Sequence, residues 1–467
     1  MASLAPNQVA ARLDRLPAGA FHRRFLMWIS LGAWFDYYDN FVAGALAVVL
    51  PRAGIVPETQ AGDWISPLGL FMATLPLGMF FGTMFVGLAT DHIGRRLGFI
   101  AMLLLYSLAT LAGGAGYYPV ESWLGADAAW MLLLITRFLA GAGIGAENVI
   151  IDAYLTEVMP RQVRGRAVAM SHALAFTALP VAAILARWLA PRQAPHGWWL
   201  LLTIGSLGAL WTWYFRRRLP ESPRWLAAAG RGDEAAAVVQ QMEAAVERET
   251  GRPLPAVDVM AQPAPRRLPF RAIWSPEYRG RTLLLIVFQL LQTVGYYGFM
   301  HWLAKFLETK GFSSDEALTM SFAASLLAPV GPLLGVWSIE RWQRKWLIAG
   351  LSAVLAIGQL VFGWLANSVA LTIVGGLVVV GCNWFSAVFH AYQAELFPTQ
   401  ARATGIGFTY AWSRFSMVLL NLFMPGLLAT YQPAAFVLTA GAFVGVAVLI
   451  GIFGPLTNAR PLEELSS

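Results

Sequence analysis

The chain has 467 residues, of which 57% are hydrophobic and only 13% charged, with a mean hydropathy of +0.58. So few charges leave too little polar surface to coat a water-soluble protein of this size, and the surrounding solvent must be lipid. The net charge of +7 would suit a nucleic-acid partner, but the cations sit in short loops where membrane topology demands them, so nucleic acid is excluded.

Arg12, Arg15, His22, Arg23 and Arg24 precede the first apolar run, and no small-residue cleavage site follows a short apolar core. This pattern predicts a retained helix and no removable signal peptide. Apolar runs of about 20 residues then recur, each necessarily helical because lipid offers backbone N–H and C=O groups no partners. Twelve spans are predicted: 24–50, 64–88, 97–117, 128–156, 166–190, 197–216, 280–306, 317–338, 346–366, 368–394, 403–429 and 434–455. The expected fold class is an all-α integral membrane protein.

A polar, proline-rich stretch at 219–279 divides the chain into six spans and six. Within it, 222–231 and 232–249 read as short helices, followed by an extended tether. The expected organisation is a six-helix bundle over 1–218, a cytoplasmic linker over 219–279 and a second bundle over 280–467. With both termini on one side, 26 of the 33 Lys and Arg lie in the termini and loops of that side or at the span ends facing it, five (Arg52, Arg187, Arg192, Lys305 and Lys310) lie on the other, and two (Arg137 and Arg414) lie deep inside spans. The positive-inside rule makes the terminus side cytoplasmic. Cys382, the single cysteine, reads as a small packing residue.

The halves echo one another. Tyr154, Glu157, Pro160 and Arg164 recur at the same offsets as Tyr392, Glu395, Pro398 and Arg402, which predicts a pseudo-two-fold transporter with its ligand between the halves near the midplane. The loop G-L-A-T-D-H-I-G-R-R, with Gly87, Asp91, Gly94, Arg95 and Arg96, has a worn counterpart from Glu340 to Lys345 in which Gln343 replaces the turn glycine.

That loop, R-F-L-A-G-A-G-I-G at 137–145, the Tyr154 repeat and P-E-S-P-R-W-L at 220–226 stand in the order of the sugar porters. Over nearly its full length the chain resembles the sugar-porter and organic-anion branch of the major facilitator superfamily. The resemblance implies twelve helices in two pseudo-symmetric bundles, rocker-switch transport driven by protons with no other cofactor, a monomer, and a bacterial inner membrane with both termini cytoplasmic. It also implies that Asp39 couples the proton, with Arg137 as its partner, and that charge pairs among Asp91, Arg95, Arg96, Glu157, Arg164, Glu221, Arg224, Glu395 and Arg402 govern gating at the cytoplasmic face. The pattern F-D-Y-Y-D-N at 35–40 looks like that of aromatic-acid and phosphate symporters.

Ionisable groups inside spans cost about 2.5–3.5 kcal/mol each at the centre of an isolated helix unless paired or facing a water-filled cavity. Paired with Arg137, Asp39 is held ionised; separated from it in a drier setting, it takes a proton. Asp36 lies three residues earlier on nearly the same helical face, and Glu147 occupies the place of an acidic residue in phosphate symporters, so both join the proton-coupling set. Arg414 lies about 16 Å into its span and has no acidic partner in its own helix, which points to an anionic ligand held by the guanidinium fork. Tyr38, Gln289, Gln292, Tyr296, Asn383, Trp384 and Trp412 are the candidate ligand contacts around it, able to stack on and hydrogen-bond a planar solute. His172, His301 and His390 read as packing residues, and no metal-ligand spacing links them.

These features predict proton-coupled uptake of a small organic anion, an aromatic or sugar-derived carboxylate. A neutral sugar or polyol symporter is the alternative, favoured by Gln289 and the 220–226 motif. An exporter is disfavoured because the fifth span has only Pro180 and no glycine, and no nucleophile, base and oxyanion constellation suggests an enzyme.

Overall fold

The computed structural model describes residues 5–59, 65–86, 93–160, 163–192, 196–216, 219–257, 270–339, 341–397 and 402–457. Among these residues ten helices are long and apolar enough to cross a membrane. Two further crossings, Ala20–Arg52 and Gly197–Arg216, complete the twelve. The first of these carries Arg23, Arg24, Asp36 and Asp39, which lower its mean hydropathy.

Three spans are broken, two of them at prolines. The fifth is Arg164–Phe176 followed by Ala178–Arg192, because Pro180 has no N–H to return to Phe176. The eighth is Ser314–Ser325 and Val330–Ser338, interrupted around Pro329 and Pro332. The seventh ends at Met300, and Leu303–Thr309 continues as a separate short helix. The second passes from Pro67–Phe81 into a π turn at Gly82–Val86.

Spans one to six pack chiefly on one another, as do seven to twelve, and the halves meet where the second span lies along the eleventh and the fifth along the eighth. The linker contributes helices Pro223–Ala228 and Gly232–Thr250, joined by an N-terminal helix, Pro6–Asp14, that the hydropathy pattern did not announce. Arg12 and Arg15 both bond Glu243, and Arg224 bonds Asp14 at 2.8 Å, so these three helices form one charged plate on the terminus side. Burial alone would raise the Glu243 carboxyl, but the hydrogen bonds from Arg12 and Arg15 outweigh it and hold the group below its usual range.

The end of the molecule away from the termini is closed. Asn421 donates to the Met72 carbonyl at 2.9 Å, and a Cβ on Gly69 would lie 2.7 Å from the Leu422 carbonyl oxygen. On the same side Arg187 bonds Thr319 and Arg52 pairs with Asp315.

Candidate functional site

The first half of the site begins with glycine packing. A Cβ on Gly141 would overlap the Leu75 carbonyl, and one on Gly78 would overlap that of Phe138. The second and fourth spans therefore touch backbone to backbone, which only small residues allow. This contact fixes the helix that carries Arg137, and Arg137 reaches Asp39 on the first span, with Nη1 at 2.9 and 3.0 Å from the two carboxylate oxygens. Both residues are 1% exposed. A single nitrogen serves both oxygens, and Nη2 has no hydrogen bond among the described residues. The pair is close but not the two-pronged fork of the strongest Arg–carboxylate contacts.

The second half is built on Arg414. Its Nη1 donates to the Tyr297 phenol at 3.1 Å and its Nη2 to the Tyr410 phenol at 3.2 Å, with the guanidinium carbon 5.0 Å from the Tyr410 ring centre. Among the described residues Nε has no hydrogen-bond partner and Arg414 forms no ion pair. A buried guanidinium is thus held by neutral oxygens. Beside it, a narrow cavity between the bundles is lined by Tyr37 and Phe41 of the first span, Gln292, Tyr296 and Tyr297 of the seventh, and Tyr410 of the eleventh, with His390 and Phe389 closing it from the tenth.

The predicted ligand contacts divide into three groups. Gln292 and Tyr296 line this cavity. Gln289 and Asn383 stand behind them: Gln292 donates to Gln289 at 2.8 Å, Gln289 donates to Gln393 at 2.9 Å, and Tyr296 donates to Asn383 at 2.7 Å. Tyr38, Trp384 and Trp412 lie elsewhere. Tyr38 turns into the first bundle, where its hydroxyl bonds the Leu201 carbonyl and Gly205 leaves room for its ring. Trp384 donates to Ser338 on the eighth span at 2.8 Å, and Trp412 packs between Phe408 and Phe415. Of the two adjacent tyrosines of the first span, Tyr37 and not Tyr38 lines the cavity; adjacent helical residues point about 100° apart, and which one faces the partner bundle depends on the rotation of the helix.

Asp36 and Glu147 are both fully buried. Glu147 lies about 15 Å along its helix from Arg137, toward the terminus side, so the four acid and base candidates do not form one cluster. His172 and His390, expected to be packing residues, pack against each other across the bundles with ring centres 5.7 Å apart. Tyr410 and this histidine pair were the contacts that residue type alone did not single out.

At the terminus side, Arg95 bonds Glu157 at 3.1 Å, and its backbone N–H and that of Arg96 both donate to the Glu221 carboxylate. Arg224 donates to the Glu157 carbonyl. The second half repeats the arrangement with Arg344 on Glu395 at 2.8 Å. Gly94 has φ +102° and ψ 156°, a conformation open essentially to glycine, and a Cβ there would meet Glu221 Oε2 at 2.6 Å. Gly87 and Asp91 lie outside the described residues, as do the side chains of Arg164 and Arg402.

A family model described as "Sugar (and other) transporter" matches residues 26–467. The chain belongs to that family. It is 30% identical to the "Putative metabolite transport protein YyaJ" of Bacillus subtilis (strain 168), over 98% of this chain and 97% of that one. It is 28% identical to the "Niacin transporter NiaP" of Acinetobacter baylyi, over 98% and 99%. A solved structure of the xylose transporter XylE from E. coli, in a partially occluded inward open conformation, aligns with a TM-score of 0.76 at 16% identity, covering 95% of this chain and 100% of that one. These matches establish the sugar-porter branch of the major facilitator superfamily, its fold, and a multi-pass membrane transporter.

Proposed function

We propose that the protein is a symporter that couples inward movement of a proton to uptake of a small organic anion, most simply a planar aromatic carboxylate. The observation that carries this reading is Arg414, a nearly buried cation whose hydrogen-bond partners are two phenols. Burying a guanidinium without a counter-charge costs several kcal/mol, about as much as a bound carboxylate would return through charge-assisted bonds. The surrounding rings of Tyr37, Phe41, Tyr296 and Tyr410 supply faces and edges for a flat solute. The relative named as a niacin transporter is compatible with a carboxylate on an aromatic ring.

The proton belongs to Asp39. While Arg137 is in contact the carboxylate stays charged; when rocking of the bundles parts them, protonation relieves the buried charge. One proton crossing 100 mV is worth about 2.3 kcal/mol, which sets the scale of accumulation per proton. The coupling ion is thus the only accessory species the mechanism needs.

A neutral sugar substrate is the second reading, favoured by Gln289 and Gln292. Their amides are already engaged with one another and with Gln393 and Thr293, which leaves fewer donors for sugar hydroxyls. Thermal shift of the purified protein separates the two. Nicotinate or benzoate should raise the melting midpoint of the wild type and leave that of Arg414→Gln unmoved, with xylose inert toward both. A xylose shift that persists in Arg414→Gln, with no shift from any carboxylate, contradicts the proposal.

A further inference from the structure

We propose that His172 and His390 together form a hydrogen-bond acceptor pair that reads a donor on the ligand at the end away from Arg414, so that the preferred substrate is an aromatic carboxylate bearing a hydroxyl or ring N–H. The inference rests on the carboxylate reading above and goes beyond it by specifying the other end of the molecule.

The argument begins with a tautomer. His172 Nδ1 lies 3.0 Å from the Val168 carbonyl oxygen, and His390 Nδ1 lies 2.7 Å from that of Ser386, each four residues back along its own helix. A carbonyl only accepts, so each Nδ1 carries a hydrogen. In the neutral ring the lone pair then sits on Nε2, at the tip of the side chain. Two rings 5.7 Å apart therefore both offer acceptors, and neither can satisfy the other. A single O–H or N–H placed between them can, with its hydrogen shared by the two Nε2 atoms in a three-centre bond.

The neighbourhood fixes where that donor comes from. Phe389 stacks on His390 at 4.1 Å, and Tyr37 meets His172 edge-on at 6.5 Å, so both rings are held from the side. His390 lines the cavity, and its ring centre is 5.7 Å from that of Tyr410, whose hydroxyl bonds Arg414. Arg414, the Tyr410 phenol and the His390 imidazole are thus linked by successive contacts, the last two on the cavity wall. A flat solute whose carboxylate takes Arg414 lies along Tyr410 and presents its opposite edge to the imidazoles. The two histidines belong to opposite bundles, so a donor shared by both also holds the bundles together around the ligand.

Equilibrium binding of benzoate, 3-hydroxybenzoate and 4-hydroxybenzoate to the purified protein tests this. In the wild type at least one hydroxybenzoate should bind about 10-fold more tightly than benzoate, the effect of one good hydrogen bond. His390→Phe and His172→Phe should each bring that ratio to about one, while Arg414→Gln should weaken all three ligands. A wild-type ratio near one overturns the inference without needing a variant, and so does a ratio that survives in both histidine variants. If carboxylates bind and depend on Arg414 in either of these cases, the proposed function stands and only the histidine reading falls. If no carboxylate binds, or binding ignores Arg414, both fall.

Discussion

Each bundle buries one arginine deep within a span, and the two neutralise it differently. In the first bundle Arg137 meets a carboxylate, Asp39, and the charges cancel inside the protein. In the second, Arg414 meets the phenols of Tyr297 and Tyr410, which accept hydrogen bonds and return no charge. The same residue type thus makes a closed pair on one side of the cavity and an open cation on the other. The closed pair suits a proton, which enters by displacing an internal partner; the open cation suits an anion from outside. A similar contrast appears at the repeated loops, where Gly94 adopts φ +102° and its counterpart Gln343 an ordinary φ of −61°.

The largest expected effect breaks the open side. Arg414→Gln should lower carboxylate affinity by about 100-fold or more, as loss of a desolvated charge-assisted contact does, measured by titration of the purified protein. Next, Asp39→Asn should abolish accumulation against a gradient yet retain exchange of labelled for unlabelled solute, because a permanently neutral side chain cannot carry the proton; counterflow in vesicles reads this directly. Loss of exchange together with accumulation would make the pair a static fastener.

Smaller effects sharpen the contrast between the loops. Gly94→Ala should destabilise the protein by about 1–3 kcal/mol, since it forces a side chain into a glycine conformation and against Glu221, whereas Gln343→Ala should change stability little. The smallest concerns the linker plate. Glu243→Gln should cost about 1 kcal/mol at neutral pH. Because the folded carboxyl titrates below its unfolded value of 4.5, the contribution is present above that value and fades as pH falls through the folded pKa. Melting midpoints of wild type and variant should therefore converge in acid.

The twelve spans were legible because lipid leaves the backbone no choice but helix, and the depth of Arg414 followed from counting residues along one. The Asp39–Arg137 contact was legible through the family resemblance. What escaped depends on rotation and on distant partners. Tyr37 and Tyr38 are adjacent and alike, and only the hollow at Gly205 shows which one turns inward. His172 and His390 come from separate bundles, so their meeting is a property of bundle docking that no local pattern encodes. The breaks at Thr177 and after Ser325 follow from prolines a few residues downstream, a signal present in the sequence but read there as continuous span.

Uptake of radiolabelled 4-hydroxybenzoate into proteoliposomes, with and without an inward proton gradient, tests the central claim most directly. The account predicts accumulation only with the gradient, lost in both Arg414→Gln and Asp39→Asn, with exchange surviving in Asp39→Asn alone. Gradient-driven accumulation of a neutral sugar that persists in Arg414→Gln, with carboxylates excluded, would contradict it.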